Sequence, residues 1–378
     1  MKKLLFFVLI SFIISGVFAQ KAAVVSAYNY LNKGKLDKAK SYIDEAANHE
    51  STMAEAKTWF YRGNIYLTIA ASSDSAISAL DPDALGVAYE SYLKTKEFDK
   101  KKEYEADLVD RFQALSENYY NKGVKSYNFK DYSGAVSNFS KSFNISKNNG
   151  RIDTLAIQNV AFCAEMADNK TLARDTYLDM ISLNIINPNV YSSLANVYKD
   201  LKDFDNAKKI VKEGRTRFPN DLNIIISEAN IYLATEDKDK AMETLNLALN
   251  LDKSNPSIYF AIGALHDQMG NFEQAEKMYN DAIALKPDYF EAIYNLGALY
   301  VNKAAQILEV ANKLPLEETA KYEGMKKEAD QFLDKSLPYL ESASQLDPND
   351  RNTLLSLKEI YTRLNMMDKL KAVNEKLQ

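Results

Sequence analysis

The chain has 378 residues, of which only 12 are Gly and 8 Pro, where ordinary usage would supply about 26 and 19. A β-sandwich or a doubly wound fold needs turn formers at short intervals, so this composition favours helices with short connections, and 46% hydrophobic residues suffice to bury a core. One cysteine, Cys163, and two histidines, His49 and His266, exclude a disulfide framework and a Cys/His metal site, while a formal charge of −5 without a long basic stripe argues against nucleic acid as a partner.

In chain order, Lys2 and Lys3 precede an apolar run from Leu4 to Ile14, and Val17-Phe18-Ala19 leads into Gln20. Charged, apolar and small residues in that order make a secretory signal peptide, with cleavage expected after Ala19. The run is shorter than the roughly 20 residues that span a bilayer. Gln20 stands where a lipoprotein would need Cys, and no later segment reads as a membrane span. The expectation is an exported chain, in the periplasm or at the cell surface, with a charge of −7 after Lys2 and Lys3 are removed. The segment is similar to those of envelope exports of the Bacteroidota.

Small and large residues then recur in pairs. Ala27 and Tyr30 go with Ala39, Ile43 and Ala46; Trp59, Gly63 and Tyr66 with Ala88 and Tyr92; Tyr119 and Gly123 with Ala135 and Phe139. Between Gly63 and Gly123 an excess of 26 residues is expected to divide between a Ser-rich connection, Ala71 to Asp81, and a charged helix start, Lys100 to Glu105. Residues 146–153, with Asn148-Asn149-Gly150, are taken as a hinge between two lobes.

From residue 154 the period is regular. Ala161, Ala195, Ala229, Gly263 and Gly297 are each 34 apart, as are Ala173, Ala207, Ala241 and Ala275, and as are Tyr177, Val211, Leu245 and Tyr279. Pro219, Pro256, Pro287 and Pro348 mark boundaries between repeats, and Lys202 to Asp205, Glu236 to Asp239 and Met269 to Phe272 read as turns within them. After Gly297, 27 extra residues lengthen one hairpin, 301–335, running up to Leu314-Pro315 and returning through Tyr322, Met325, Ala329 and Phe332. Split evenly, they extend each helix by about 13 residues, or roughly 20 Å. Leu354, Leu357, Tyr361 and Leu370 close the series at nine candidate repeats.

Tyr259, Ile262, Gly263, His266, Ala275, Tyr279, Ala282 and Pro287 match the order of the tetratricopeptide repeat, and so do Tyr191, Leu194, Ala195, Tyr198, Ala207, Val211, Gly214 and Pro219. The resemblance implies an all-α solenoid, an α-α superhelix of about nine helix-turn-helix repeats with a concave side. The expected organisation is 1–19 signal peptide, 20–150 N-terminal repeats with insertions, 151–289 regular repeats, and 290–378 C-terminal repeats with the extended hairpin. A methyl-sized side chain at each recurring small position lets two helices approach, and the aromatic a turn away fills the gap between them.

No phosphate loop, nucleophile elbow or metalloprotease motif occurs, and no cofactor is implied. Cys163 shares its slot with Val197, Ile231, Leu265 and Leu299, which makes it a core side chain, and His266 shares the slot of Tyr198, Tyr232 and Tyr300. Carboxylates such as Glu317, Glu318 and Asp350 read as helix-surface charges.

In tetratricopeptide proteins the first helix of each pair lines the concave side, which here implies Gln158, Asn159, Asn189, Ser192, Asn196, Asn223, Ile226, Asn230, Phe260, Tyr294, Asn295 and Asn302. Asparagine both donates and accepts, so a row of them suits the backbone of an extended peptide, and Asn196 and Asn230 are expected to stack as a ladder. The positions lack the basic cluster of the family's carboxylate-clamp members. The reading is a non-enzymatic scaffold that binds a peptide or protein in the cell envelope, with self-association left open. Two alternatives stand beside it: an assembly factor docking through the long hairpin, and a hydrolase or glycan-binding accessory with an acidic cleft.

Overall fold

A computed structural model describes residues 21–377, so the expected signal peptide lies outside the described residues. Among them there are helices and no strands. Two compact units divide at Ile186/Asn187.

The first unit contains α1 (21–32), α2 (Leu36–Ala47), α3 (Ala56–Ala70), the single turn α4 (Ser75–Ser78), α5 (Ala84–Phe98), α6 (Glu105–Asn128), α7 (Tyr132–Asn148), α8 (Thr154–Met166) and α9 (Lys170–Ser182). The second contains α10 (Pro188–Asp200), α11 (Phe204–Arg217), α12 (Leu222–Ala234), α13 (Lys238–Leu251), α14 (Pro256–Gln268), α15 (Phe272–Leu285), α16 (Phe290–Ala311), α17 (Thr319–Leu346), α18 (Arg351–Arg363) and α19 (Met367–Leu377). Leaving α4 aside, they form nine antiparallel hairpins, and within each unit successive hairpins stack side by side. Both units are tetratricopeptide-type solenoid stacks.

The period works through sterics. Ala161, Ala195, Ala229, Ala173, Ala207, Ala241 and Ala275 are all fully buried. Gly263 lies so close to α15 that a Cβ on it would sit 2.9 Å from the Tyr279 ring, and the Tyr279 side chain is itself fully buried. One residue per repeat sets the contact distance and one large side chain per repeat fills what remains.

Helix ends are specified locally. Asp153, Asn169, Asn187, Asp203, Asp221, Asp237 and Asp350 each accept a backbone N–H of the helix they precede. Pro188 and Pro256 occupy the first turns of α10 and α14, where a missing N–H costs nothing. Within hairpins, Lys130, Asp168, Lys202, Glu236, Gly270 and Asn365 take positive φ two residues before the second helix. The next N–H then reaches back to a carbonyl of the first helix, as in Asp203 N to Tyr198 O (2.9 Å) and Asp237 N to Tyr232 O (3.0 Å), which caps its last turn.

Three details differ from the sequence reading. Lys100 to Tyr104 is not a helix start but a turn, closed by Asp99 accepting from the N–H groups of Glu103 (2.9 Å) and Tyr104 (2.7 Å). The helix begins at Glu105, and at 24 residues against the 13 of α8 it still takes up much of the excess. Residues 149–153 join α7 to α8 inside the first unit, and those two helices pack on one another, so the division of the chain falls later.

The long hairpin is unevenly shared: α16 has 22 residues and α17 has 28, against 13 and 14 in the preceding pair. Pro315 disfavours helix at the residue before it, and α16 stops at Ala311. Its base does not project freely. Ala304, Ala329 and Leu333 are buried in a cluster with Leu354 and Leu357 of α18, and Arg363 pairs with Asp330 at 2.8 Å.

Candidate interaction surfaces

Of the candidate residues on the first helices, Asn189, Asn223 and Asn302 are exposed, Ser192 is buried and the others are half-buried. In the second unit α10 packs directly on α12. Asn223 Nδ2 donates to Asn189 Oδ1 at 3.4 Å, a pair 34 residues apart. Asn196 Nδ2 donates to Ser227 Oγ at 3.2 Å. The expected rung from Asn196 to Asn230 is therefore replaced by one to Ser227, three residues earlier and nearly a turn back on α12. Asn196 Oδ1 is buried with no hydrogen-bond partner, Ser192 is buried with its hydroxyl donating to Asn189 O at 3.2 Å, and Ile226 and Asn230 are half-buried.

Further along, the face turns aromatic. Phe260 has its ring 5.5 Å from that of Tyr289 and 6.0 Å from that of Tyr279. Tyr294 stacks on Phe290 at 6.2 Å. Asn295 donates to Glu291 O of its own helix at 2.7 Å, which spends its amide locally, and Asn302 is exposed. In the first unit Gln158 is half-buried and Asn159 Nδ2 donates to the Tyr120 hydroxyl at 3.0 Å, tying α8 to α6. The twelve residues thus make separate patches of different chemistry.

Sequence reasoning missed an apolar patch on the same face of α6 and α8. Val124, Tyr127, Leu155, Phe162 and Met166 are all exposed, Leu155 by 61%, and the rings of Tyr127 and Phe162 lie 5.9 Å apart. The signal was present: Leu155 is 34 residues before Asn189 and Phe162 is 34 before Asn196. Exposed contiguous apolar surface of this kind marks interaction sites.

Groups with chemical potential are engaged elsewhere. Cys163 is buried, and burial raises its thiol pKa, away from the nucleophilic form. His266 has its pKa lowered by burial and lies 3.4 Å from the Asn271 amide, with no nucleophile beside it. Asp350 caps α18 through Thr353, and Glu318 pairs with Lys321 at 3.1 Å. Burial raises the pKa of Glu228, partly offset by Arg215 at 3.2 Å. Among the described residues no group of three or more His, Cys, Asp or Glu is placed to hold a metal ion, and no helix is long and apolar enough to cross a membrane.

Comparison with known proteins agrees with these hairpins. Residues 267–303 match the TPR repeat family, and residues 143–254 match the tetratricopeptide repeat protein 21 ARM repeat. Protein bimA of Emericella nidulans is 22% identical over 29% of this chain and 14% of its own length. The protein O-mannosyl-transferase TMTC3 of Homo sapiens is 22% identical over 46% of this chain and 20% of its own length. The chain thus spans a fifth or less of these two relatives. A thermophilic TPR protein of Thermus thermophilus, of known crystal structure, is 19% identical, with 49% of this chain and 98% of that one covered at a TM-score of 0.40. Tetratricopeptide-type repeats are thus matched over residues 143–254 and 267–303. Proteins built of such repeats generally mediate protein–protein interaction, and the fold is typically a non-enzymatic scaffold.

Proposed function

We propose that this chain is an exported, non-enzymatic scaffold that holds a partner polypeptide along the exposed faces of its first helices. One observation carries the reading: in the second unit Asn189 of α10 and Asn223 of α12, 34 residues apart, are both exposed, with their side chains 3.4 Å from one another. Side chains left exposed at a fixed period can meet a ligand, with apolar anchors supplying affinity and amides pairing with a backbone. Export rests on the order of charges and apolar residues in the first 19 positions.

The test is capture of partners from an envelope fraction by the wild-type chain and by two variants. Asn189→Arg combined with Asn223→Arg is expected to abolish specific capture while the helical circular dichroism is unchanged. A second reading is favoured by the hairpin tip, where Leu316 is 94% and Val310 54% exposed. Under it, Val310→Asp with Leu316→Asp abolishes capture and the first variant does not.

A further inference from the structure

The break in period before α6 leaves a groove that no regular repeat has. Measured from the small residue of each first helix from α8 to α16, the positions five and one before it and two after it are core. They are Ala156, Val160 and Cys163 in α8 and Val190, Leu194 and Val197 in α10, all buried. The same slots in α14 and α16 are equally apolar and buried, and Glu228, held by Arg215, is the exception in α12. Counted from Gly123, α6 carries Asn118, Lys122 and Lys125 there, half-buried in the first case and exposed in the other two.

Geometry accounts for the departure. The N-terminal extension of α6 buries Leu108, Phe112 and Leu115 in the core shared with α5. Residues 118–129 are left facing the end of α3 and the inserted segment across a cavity of about 520 Å³, whose far side includes Pro82 and Leu85. Its carboxylates are committed: Asp81 accepts from Asp83 N at 3.0 Å and lies 3.8 Å from Lys40, and Asp131 caps α7 through Gly134 N at 2.9 Å. Neither Lys122 nor Lys125 has a carboxylate at ion-pair distance among the described residues. Phe129, at the end of the same stripe, is 75% exposed.

We infer that this groove binds an extended acidic segment of a partner protein, with two carboxylates on Lys122 and Lys125 and an aromatic side chain against Phe129. Residues a helical turn apart have Cβ atoms about 5–6 Å apart, close to the roughly 6.6 Å between alternate residues of an extended chain. Lys122, Lys125 and Phe129 each follow by about one turn, so the matching pattern is acidic, any, acidic, any, aromatic. Asn118 donates to Ala114 O at 2.8 Å, which leaves its Oδ1 to accept a backbone N–H of the bound segment. The site uses slots that are core elsewhere, so it stands independently of the reading for the exposed first-helix faces.

The probes are fluorescein-labelled pentapeptides, Asp-Gly-Asp-Gly-Phe and its reverse, with terminal carboxylates amidated so that only side-chain acids remain. Fluorescence anisotropy with the full chain is expected to show saturable binding by at least one. Lys122→Glu with Lys125→Glu should weaken it by about tenfold or more, Phe129→Ala should weaken it less, and Lys326→Glu with Lys327→Glu on the hairpin should leave it unchanged. Acetylation of wild-type Lys122 and Lys125, followed by mass spectrometry, should slow when peptide is bound, a readout that needs no variant to fold. Absence of saturable binding, binding without protection of these two lysines, or equal loss in the hairpin variant would overturn the inference. So would tighter binding of a five-nucleotide oligothymidylate to the same lysines, because the ligand would then be a phosphate backbone.

Discussion

At the residue scale the fold rests on close approaches that only small side chains allow. A Cβ on Gly63 would lie 2.3 Å from the Tyr92 ring, and one on Gly297 would lie 2.7 Å from Leu340 Cγ. Tyr92 is fully buried, so its ring has nowhere to retreat. Gly63→Ala is expected to destabilise the chain by about 1–3 kcal/mol, read from the urea midpoint at unchanged slope. Tyr279→Ala, which empties a fully buried site, is expected to cost about 3–5 kcal/mol. Cys163 should resist a water-soluble thiol reagent in the native chain and react on unfolding; rapid native labelling would contradict its burial. The small slots were legible because their constraint is local and repeats at a fixed interval. The partner of Asn196 was not, because choosing Ser227 over Asn230 depends on how far one helix is rotated against the next, which no spacing within a single chain segment records.

At the element scale the hairpin turns carry the clearest strain. Lys202 and Glu236 hold φ of 63° and 57°, a conformation that a side chain disfavours. Gly270 fills the equivalent place between α14 and α15 without that cost. Lys202→Gly and Glu236→Gly are therefore each expected to stabilise the chain by about 0.5–1 kcal/mol, less than the intrinsic left-handed penalty because Gly also loses more freedom on folding. A fall in melting temperature for both would refute the role given to these turns. Regular helices and their caps were legible, since Asp or Asn precedes most of them and Pro marks two starts. The length of α6 was not: Leu108, Phe112 and Leu115 follow helical spacing, but the charged run from Lys100 to Glu103 beside it drew the helix start too early.

At the scale of the whole molecule the buried tyrosines set the response to alkali. Burial holds the Tyr92, Tyr279, Tyr300 and Tyr361 hydroxyls well above the ordinary tyrosine range and pushes Tyr119 up to about 12. Tyr300 and Tyr361 also donate to Glu276 and Glu341, which favours the neutral phenol. A folded-state pKa above the unfolded value of about 10 contributes stability that is complete below pH ~10 and is lost as pH rises through the folded pKa. The urea midpoint is expected to be lower at pH 11 than at pH 8, and an unchanged midpoint would show that these hydroxyls are solvated.

The central claim, that exposed first-helix faces grip another polypeptide, is tested most directly by placing a photo-crosslinking amino acid at Asn189, at Asn223 and at Leu316 in separate full-length chains within the cells that make the protein. Cross-links from the first two positions to a common polypeptide, with none from the third, are predicted. Cross-links from Leu316 alone would contradict the claim and move the binding surface to the hairpin.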